Sequence, residues 1–168
     1  MSEIDEDRVK QWSLTLSDLI SAKLKANISF KDFESEEIIF SEFLEQSTEP
    51  LWTTLCEDPG NQQAIIVTMN YKSIIASTNN FFSNTANVHD DSLNKLSFTE
   101  RFIAEEISAE IIEAFENNEL NMRFIRNESQ LSLIRPFHED ESITIYKFNW
   151  SINNENYGEL KLCHSHVL

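Results

Sequence analysis

Glycine and proline are scarce in this chain, which has two glycines and three prolines among its 168 residues. Gly60 and Gly158 alone cannot form the glycine-rich phosphate loops GxGxxG and GxxxxGK(S/T). The same scarcity excludes collagen-like and linker-like chains. The two cysteines, Cys56 and Cys163, lie far apart and outside any CxxC pair, so no disulfide framework is expected. Because 40% of the residues are hydrophobic, the sequence predicts one globular domain with reduced thiols.

Positive charge is also in short supply, with 13 basic against 29 acidic residues and a net charge of -16. Such a chain lacks the clustered Lys and Arg that bind nucleic acids or anionic membranes. No apolar run reaches the roughly 20 residues of a membrane-spanning helix, and the opening segment MSEIDEDR is not a signal sequence. We therefore expect a cytoplasmic protein with basic protein partners, without nucleic-acid binding or membrane insertion. An acidic inhibitor that mimics DNA is the alternative.

The N-terminal half combines helical and strand-like patterns. Val9, Trp12 and Leu16 recur at three- and four-residue spacing, which predicts a helix over 8–26. Residues 1–7 are expected to form an acidic flexible N-terminus. The elements predicted next are a strand at 27–33, a short helix or irregular acidic segment at 35–46, strands at 51–56 and 62–69 joined by a turn, a helix at 71–82 with Phe82 on its apolar side, and a polar loop at 83–95.

The clearest helix is predicted over 97–117. Ser97 and Glu100 form a capping box, in which the Ser hydroxyl accepts from a free backbone N–H and the Glu reaches back. Apolar residues cover about half of the helix circumference, and acidic residues cover the other half. The acidic half comprises Glu105, Glu106, Glu110, Glu113 and Glu116, with Phe102 among them. Phe102 is either tucked under a neighbouring loop, the favoured interpretation, or an aromatic anchor for a basic partner.

The C-terminal third is rich in strand patterns. Strands are predicted near Met122 and Phe124, over Leu131 to Ile134, and over a long stretch from Ile143 to Trp150 with a register irregularity. A turn at 153–156 returns the chain as a hairpin partner at 157–163. The order of elements predicts an α+β fold with helices packed on a mostly antiparallel sheet.

Catalytic and metal-binding patterns are weak. The run Cys163-His164-Ser165-His166 could hold a soft metal, but a polar strand end is the favoured interpretation. No Gly-x-Ser-x-Gly elbow occurs, and paired carboxylates carry little information in so acidic a chain. We expect no catalytic residues, no metal and no cofactor.

The order of these features resembles the middle domain of the flagellar motor switch protein FliM and its type III secretion relatives. The strongest match is Leu96-Ser97-Phe98-Thr99-Glu100, where the family has Leu-Thr-x-x-Glu before its long helix. Glu49-Pro50-Leu51 resembles the family's turn before its first sheet strands. Gly158-Glu159-Leu160-Lys161-Leu162 resembles its Gly-x-Leu-x-Leu strand. The resemblance covers residues 8–168 as a single domain. It implies an α/β (α+β) fold with internal pseudo-symmetry, shared with the chemotaxis phosphatases CheC and CheX.

Those phosphatases carry Glu-x-x-Asn on a helix, where the Asn orients the water that attacks an aspartyl phosphate. No Glu-x-x-Asn occurs here. On the long helix the matching offsets pair Glu105 with Ser108 and Glu106 with Ala109, and neither partner replaces an amide, although Ser108 could hydrogen-bond water. The resemblance therefore implies a non-enzymatic protein, with a degenerate CheC-like phosphatase as the alternative.

Two family features are missing. Motor-switch proteins carry Gly-Gly-x-Gly, a loop implicated in FliG docking, where this chain has Ser83, Asn84 and Thr85 after Phe82. Non-Gly residues do not easily adopt the same positive φ. The family's C-terminal SpoA domain, which dimerises with FliN-type partners, is also missing. The segment Glu3-Ile4-Asp5 resembles the Glu-Ile-Asp that binds phospho-CheY in the family.

The resemblance implies a scaffold in a cytoplasmic ring, either a flagellar switch or a related secretion ring. The implied partners are FliG-like and FliN-like proteins and a CheY-like response regulator, with weak self-association. Such a module lies in the cytoplasm, at the inner membrane through its partners. The expected partner-binding residues are Ser83, Asn84, Thr85, Phe102, Glu105, Glu106 and Glu113.

Overall fold

The computed structural model describes residues 4–86, 88 and 94–165. The helices are α1 (Glu6–Leu24), α2 (Phe40–Gln46), α3 (Tyr71–Ser83) and α4 (Phe98–Asn117), with one 3-10 turn at Leu131–Leu133. The strands are β1 (Ile28–Ile39), β2 (Leu51–Asp58), β3 (Gln63–Asn70), β4 (Arg123–Glu128), β5 (Ser142–Ile152) and β6 (Glu155–Ser165). Within the described residues, no helix combines the length and the hydropathy needed to span a bilayer.

The six strands of the described residues form one sheet in the order β1-β5-β6-β3-β2-β4, and every pair is antiparallel. Exchanging β1 with β4, β2 with β5 and β3 with β6 reproduces this order in reverse. Each half is a helix, an edge strand, a short helical segment and a hairpin, so the β3–β6 pair lies on a pseudo-twofold axis. The predicted antiparallel α+β fold with internal pseudo-symmetry is confirmed.

The main core lies between helices α1, α3 and α4 and one face of the sheet. Trp12 of α1 stacks on Phe115 of α4 with ring centroids 5.0 Å apart, and both side chains are fully buried. Each helix contributes the apolar stripe that its periodicity predicts. On the opposite face, Phe40 and Phe43 of α2 cover a smaller core that includes Ile66 and Cys163.

Helix boundaries follow local capping. Helix α1 begins at Glu6, two residues before the predicted start, because Asp5 caps it and accepts from the Arg8 amide at 2.8 Å. The capping box at α4 is confirmed, with Glu100 N donating to Ser97 Oγ at 3.2 Å and Ser97 N donating to Glu100 Oε1 at 2.8 Å.

Two predicted elements are wrong. Residues 35–39 belong to β1 rather than to a helix or irregular segment, because they pair with β5 from Ser35–Tyr146 to Ile39–Ser142. Residues 131–133 form a 3-10 turn instead of a strand, since the Ile134 amide bonds back to the Leu131 carbonyl at 3.0 Å. The irregularity predicted in the long strand is present, between Trp150 and Ser151.

Candidate partner-binding site

The acidic side of α4 is the first part of the candidate site. Phe102 is 53% exposed, so the favoured tucked arrangement is wrong and the side chain is available to a partner. Glu105 and Glu113 are also exposed, and Glu106 is half-buried. Glu110 is only 8% exposed, against its predicted place on the solvated half of the helix.

A lysine of α1 explains the burial of Glu110. Lys23 Nζ lies 2.7 Å from both Glu110 Oε1 and Glu106 Oε2. Partial burial lowers the pKa of Lys23, but hydrogen bonds to Glu106 and Glu110 outweigh it and raise the pKa overall. Glu106 is therefore held by its own chain, whereas Phe102, Glu105 and Glu113 are the exposed members of this surface.

Glu113 lies one turn beyond the Lys23 pair. Its pKa is raised, first by a hydrogen bond to Glu110 and then by repulsion from the same carboxylate. The two glutamates share negative charge that one lysine neutralises only in part. This end of the α4 surface therefore favours an approaching cation.

The loop after α3 is the second part. Ser83, Asn84 and Thr85 are all exposed. Asn84 closes α3 with φ 59°, and its amide donates to the Asn80 carbonyl at 2.9 Å. The expectation that non-Gly residues would avoid a positive φ here is wrong, because Asn tolerates the left-handed region better than other residues with a side chain. Of the predicted loop 83–95, residues 87 and 89–93 lie outside the described residues.

Helix α1 connects the two parts. Ser17, Ser21 and Lys25 line an open depression of about 570 Å³ together with Asn84. Lys23, two residues earlier, lies on another side of α1 and contacts Glu106 and Glu110 of α4. The structure therefore brings the loop and the acidic helix to the same end of α1, where one partner could contact both.

Sequence reasoning missed the exposure of Phe98 and Phe82, which lie beside the two parts of the site. Phe98 is 88% exposed one turn before Phe102, so the two rings extend along the same side of α4. Phe82 is 64% exposed, against its predicted place on the apolar side of α3, and it meets Phe81 edge-on at 5.0 Å. Their positions in the sequence could have indicated them: Phe98 lies four residues before Phe102 on the same helix, and Phe82 lies directly before the predicted loop.

Of the two positions on α4 where a phosphatase could carry its Asn, Ser108 lies in the core and Ala109 is exposed. Ser108 is 2% exposed, and its hydroxyl meets Trp52 Nε1 at 3.1 Å and Thr54 Oγ1 at 2.9 Å. It also bonds to the Ala104 carbonyl at 2.9 Å. The hydroxyl is committed to protein partners, so the expected bond from Ser108 to water is wrong.

Cys163 and His164 point away from each other. Neighbouring residues of a strand face opposite sides of the sheet, and Cys163 packs in the small core while His164 stacks on Tyr146 of the other face. Burial raises the pKa of Cys163 to about 12, which disfavours a metal-binding thiolate. His166 and Glu3 lie outside the described residues. In the part of the chain that the structure describes, no three His, Cys, Asp or Glu side chains group as a metal site.

Comparison with known proteins identifies the fold. No protein-family model and no curated protein matches the chain. Among solved structures, the FliM middle domain from Vibrio alginolyticus superposes with a TM-score of 0.74 at 14% identity, covering 93% of this chain and 89% of that one. The fold is that of the FliM middle domain. A chain of the FliG–FliM complex from H. pylori also superposes with a TM-score of 0.74, at 12% identity and covering 96% and 94%.

A chemotaxis protein CheX from Desulfovibrio desulfuricans superposes less well. Its TM-score is 0.52 at 8% identity, covering 95% of this chain and 99% of that one. The predicted FliM-type fold is thus confirmed over almost the whole chain. At these identities the comparisons establish fold, and function has to be inferred from the surface.

Proposed function

We propose that this protein is a non-enzymatic scaffold module of a cytoplasmic ring, of the flagellar switch type or of a related type III secretion ring. The observation that carries the proposal is the FliM middle-domain fold, which extends over 93% of the chain at a TM-score of 0.74. The buried hydroxyl of Ser108 supports a structural role for the helix that bears the catalytic pair in the phosphatases.

The docking partner in this proposal is a rotor protein of FliG type. A solved complex pairs FliM with FliG, and a chain of that complex shares this fold. Phe102 would enter an apolar pocket of the partner, with Glu105 and Glu113 meeting basic residues at its rim. Ser83, Asn84 and Thr85 would add backbone and side-chain contacts from the other side of α1. FliN-like proteins and a CheY-like regulator are further proposed partners, and the ring and rotor proteins would hold the module at the inner membrane.

A titration with purified FliG tests the anchor. Phe102→Ala should weaken binding by about tenfold or more while the melting temperature stays unchanged, because the ring is exposed in the free protein. Phe124→Ala is the matched control, since Phe124 is 45% exposed on β4 and away from this surface. Equal affinity of Phe102→Ala and the unaltered protein would overturn the assignment of the anchor.

Salt dependence tests the acidic rim. Glu105→Lys should slow association and flatten its dependence on ionic strength, because exposed rim charges steer encounter more than they set affinity. Lys72→Glu, on exposed α3 surface, is the control of opposite sign. Absence of any FliG binding at low salt by the unaltered protein would refute the rotor partner.

A CheC-like phosphatase is the second candidate, favoured by the superposition on CheX. Two observations oppose it: no Glu-x-x-Asn occurs in the chain, and Ser108 is buried. Decay of phosphorylated CheY should be unchanged when the purified protein is added. Acceleration of that decay would replace the scaffold proposal with the enzymatic one.

A further inference from the structure

The two edges of the sheet carry opposite charges. Among the described residues, β1 pairs only with β5 and β4 pairs only with β2, so each edge strand has one hydrogen-bonded neighbour. The exposed part of β1 carries four acids, Asp32, Glu34, Glu36 and Glu37, and one lysine, Lys31. The six residues of β4 carry Arg123, Arg126 and one acid, Glu128. In a chain of net charge -16, β4 is an uncommon basic segment.

The strand directions allow the two edges to join. All neighbouring strands are antiparallel, and the sheet has an even number of strands, so β1 and β4 run in opposite directions. A second copy displaced sideways along the sheet therefore brings its β1 antiparallel to β4 of the first copy. The alternation of strand directions continues across the junction without a break.

One row of side chains crosses the whole sheet and ends in a charge at each edge. It is traced by the cross-strand partners Glu36–Ile145, Ile145–Cys163, Cys163–Ile66, Ile66–Leu55 and Leu55–Arg126. Directly paired residues share a face, so Glu36 and Arg126 lie on the same side of the sheet, the side covered by α2. A copy placed along this row sets its Glu36 beside Arg126 of the previous copy.

We propose that a second copy of this chain docks head to tail, its β1 edge pairing with the β4 edge. Charge selects this junction over the two symmetric ones, because β1 against β1 opposes acids and β4 against β4 opposes arginines. Arg123 is already paired with Glu57, whereas Arg126 donates from Nη2 to the Leu133 carbonyl, at 3.1 Å, and its guanidinium has further donors for Glu36. Phe124 and Ile125, 45% and 43% exposed, add apolar area to the same edge.

The paired length limits the strength of the contact. A bulge between Lys31 and Glu34, with Asp32 at φ 56°, interrupts β1 and leaves the regular segment Glu34–Ile39. That segment has the same length as β4, six residues, and β4 carries its own irregularity between Phe124 and Arg126. A short junction of this kind is weak for two free copies and is reinforced when a ring holds many copies together. It does not depend on a rotor partner, so it is tested on the protein alone.

Reversing the charge at each end of the row tests the junction. Self-association is measured by sedimentation at low salt and at protein concentrations up to ~1 mM, because copies tethered in a ring experience effective concentrations in this range. Glu36→Arg alone and Arg126→Glu alone should each weaken self-association by about tenfold. An equimolar mixture of the two variants should restore it, because every contact between unlike variants again pairs Glu with Arg. Circular dichroism melting confirms that both variants fold.

Matched controls carry the same charge changes elsewhere. Glu116→Arg and Arg101→Glu, both on exposed positions of α4, should associate like the unaltered protein. The proposal is overturned if the unaltered protein stays monomeric throughout, if either edge variant associates as well as the unaltered protein, or if the mixture fails to recover association. It is also overturned if a control loses association as the edge variants do.

Discussion

Lys23 of α1 lies 2.7 Å from the nearly buried carboxylate of Glu110 on α4. This ion pair joins two helices that also share apolar packing and a hydrogen bond from Trp12 Nε1 to the Ile111 carbonyl, at 3.3 Å. It also engages Glu106 and Glu110 on the acidic side of α4, so that Phe102, Glu105 and Glu113 are the exposed residues of the proposed docking surface.

Removing the lysine should destabilise the fold. Lys23→Ala leaves Glu110 without its counter-ion, which should lower the free energy of unfolding by about 1–2 kcal/mol, less than for a fully buried pair because Lys23 is one-third exposed. Urea denaturation measures the change. Lys72→Ala on exposed α3 should stay within about 0.5 kcal/mol of the unaltered protein. Equal stability of the two variants would contradict the role given to the pair.

The Glu110–Glu113 pair predicts a pH dependence. The pKa of Glu113 is raised in the folded protein, so ionising this carboxyl group lowers the free energy of unfolding. The stabilising contribution of the protonated group is fully present below its ordinary pKa of 4.5 and is lost as the pH rises through the folded-state pKa. Glu113→Gln should therefore melt at a higher temperature than the unaltered protein at pH 7, with the difference vanishing below pH 4.5. Glu105→Gln changes net charge equally and should give a smaller gain at pH 7. A gain from Glu113→Gln that persists at low pH would contradict this cause.

The two glycines should respond oppositely to substitution. A Cβ on Gly158 would overlap Ser73 Oγ and lie 3.1 Å from Asn70 Cβ, so the close approach of β6 to α3 requires glycine. Gly158→Ala should cost about 1–3 kcal/mol of unfolding free energy. Gly60→Ala should be nearly neutral, since its Cβ would meet only Asp58 Oδ1, at 3.4 Å. Thermal denaturation of both variants measures the difference. A melting temperature of Gly158→Ala equal to that of the unaltered protein would contradict the overlap.

Installing the phosphatase amide at Ser108 should damage the core rather than create activity. Ser108→Asn forces a larger side chain among Trp52, Thr54 and Ala104, and about 2–4 kcal/mol of unfolding free energy should be lost. Ala109→Asn, one residue on and exposed, should cost about 0.5 kcal/mol. Guanidinium denaturation measures both. A stable Ser108→Asn variant that accelerates phospho-CheY decay would reverse this account of the site.

Local signals in the sequence were sufficient for the helices and the central hairpins. The capping box at Ser97 involves residues three apart, so α4 begins where the residues indicate. The near-continuous apolar run over 64–67 likewise marks a central strand, since both faces of β3 are covered. The motif at Gly158 was recognised by resemblance, and its physical reason is the close approach to Ser73 and Asn70.

The candidate site was predicted in part. The exposure of Ser83, Asn84 and Thr85 follows from a polar segment after a helix, and Glu105 and Glu113 follow from helical periodicity. Glu110 and Phe82 depart from that periodicity for different reasons. Glu110 is covered by a lysine 87 positions earlier in the chain. Phe82 lies at the solvent-exposed end of α3, where its side chain has no core to enter.

Composition, periodicity and capping, all local properties, determined an acidic α+β domain, its long helices and the absence of glycine-rich phosphate loops. Only the tertiary structure decided that the acidic segment 35–39 is a strand, that Glu110 is buried, and that Glu36 and Arg126 end one row across the sheet. The reason is that strand pairing and ion pairing join residues far apart in the chain, and a neighbour's identity is not encoded in the segment that it covers.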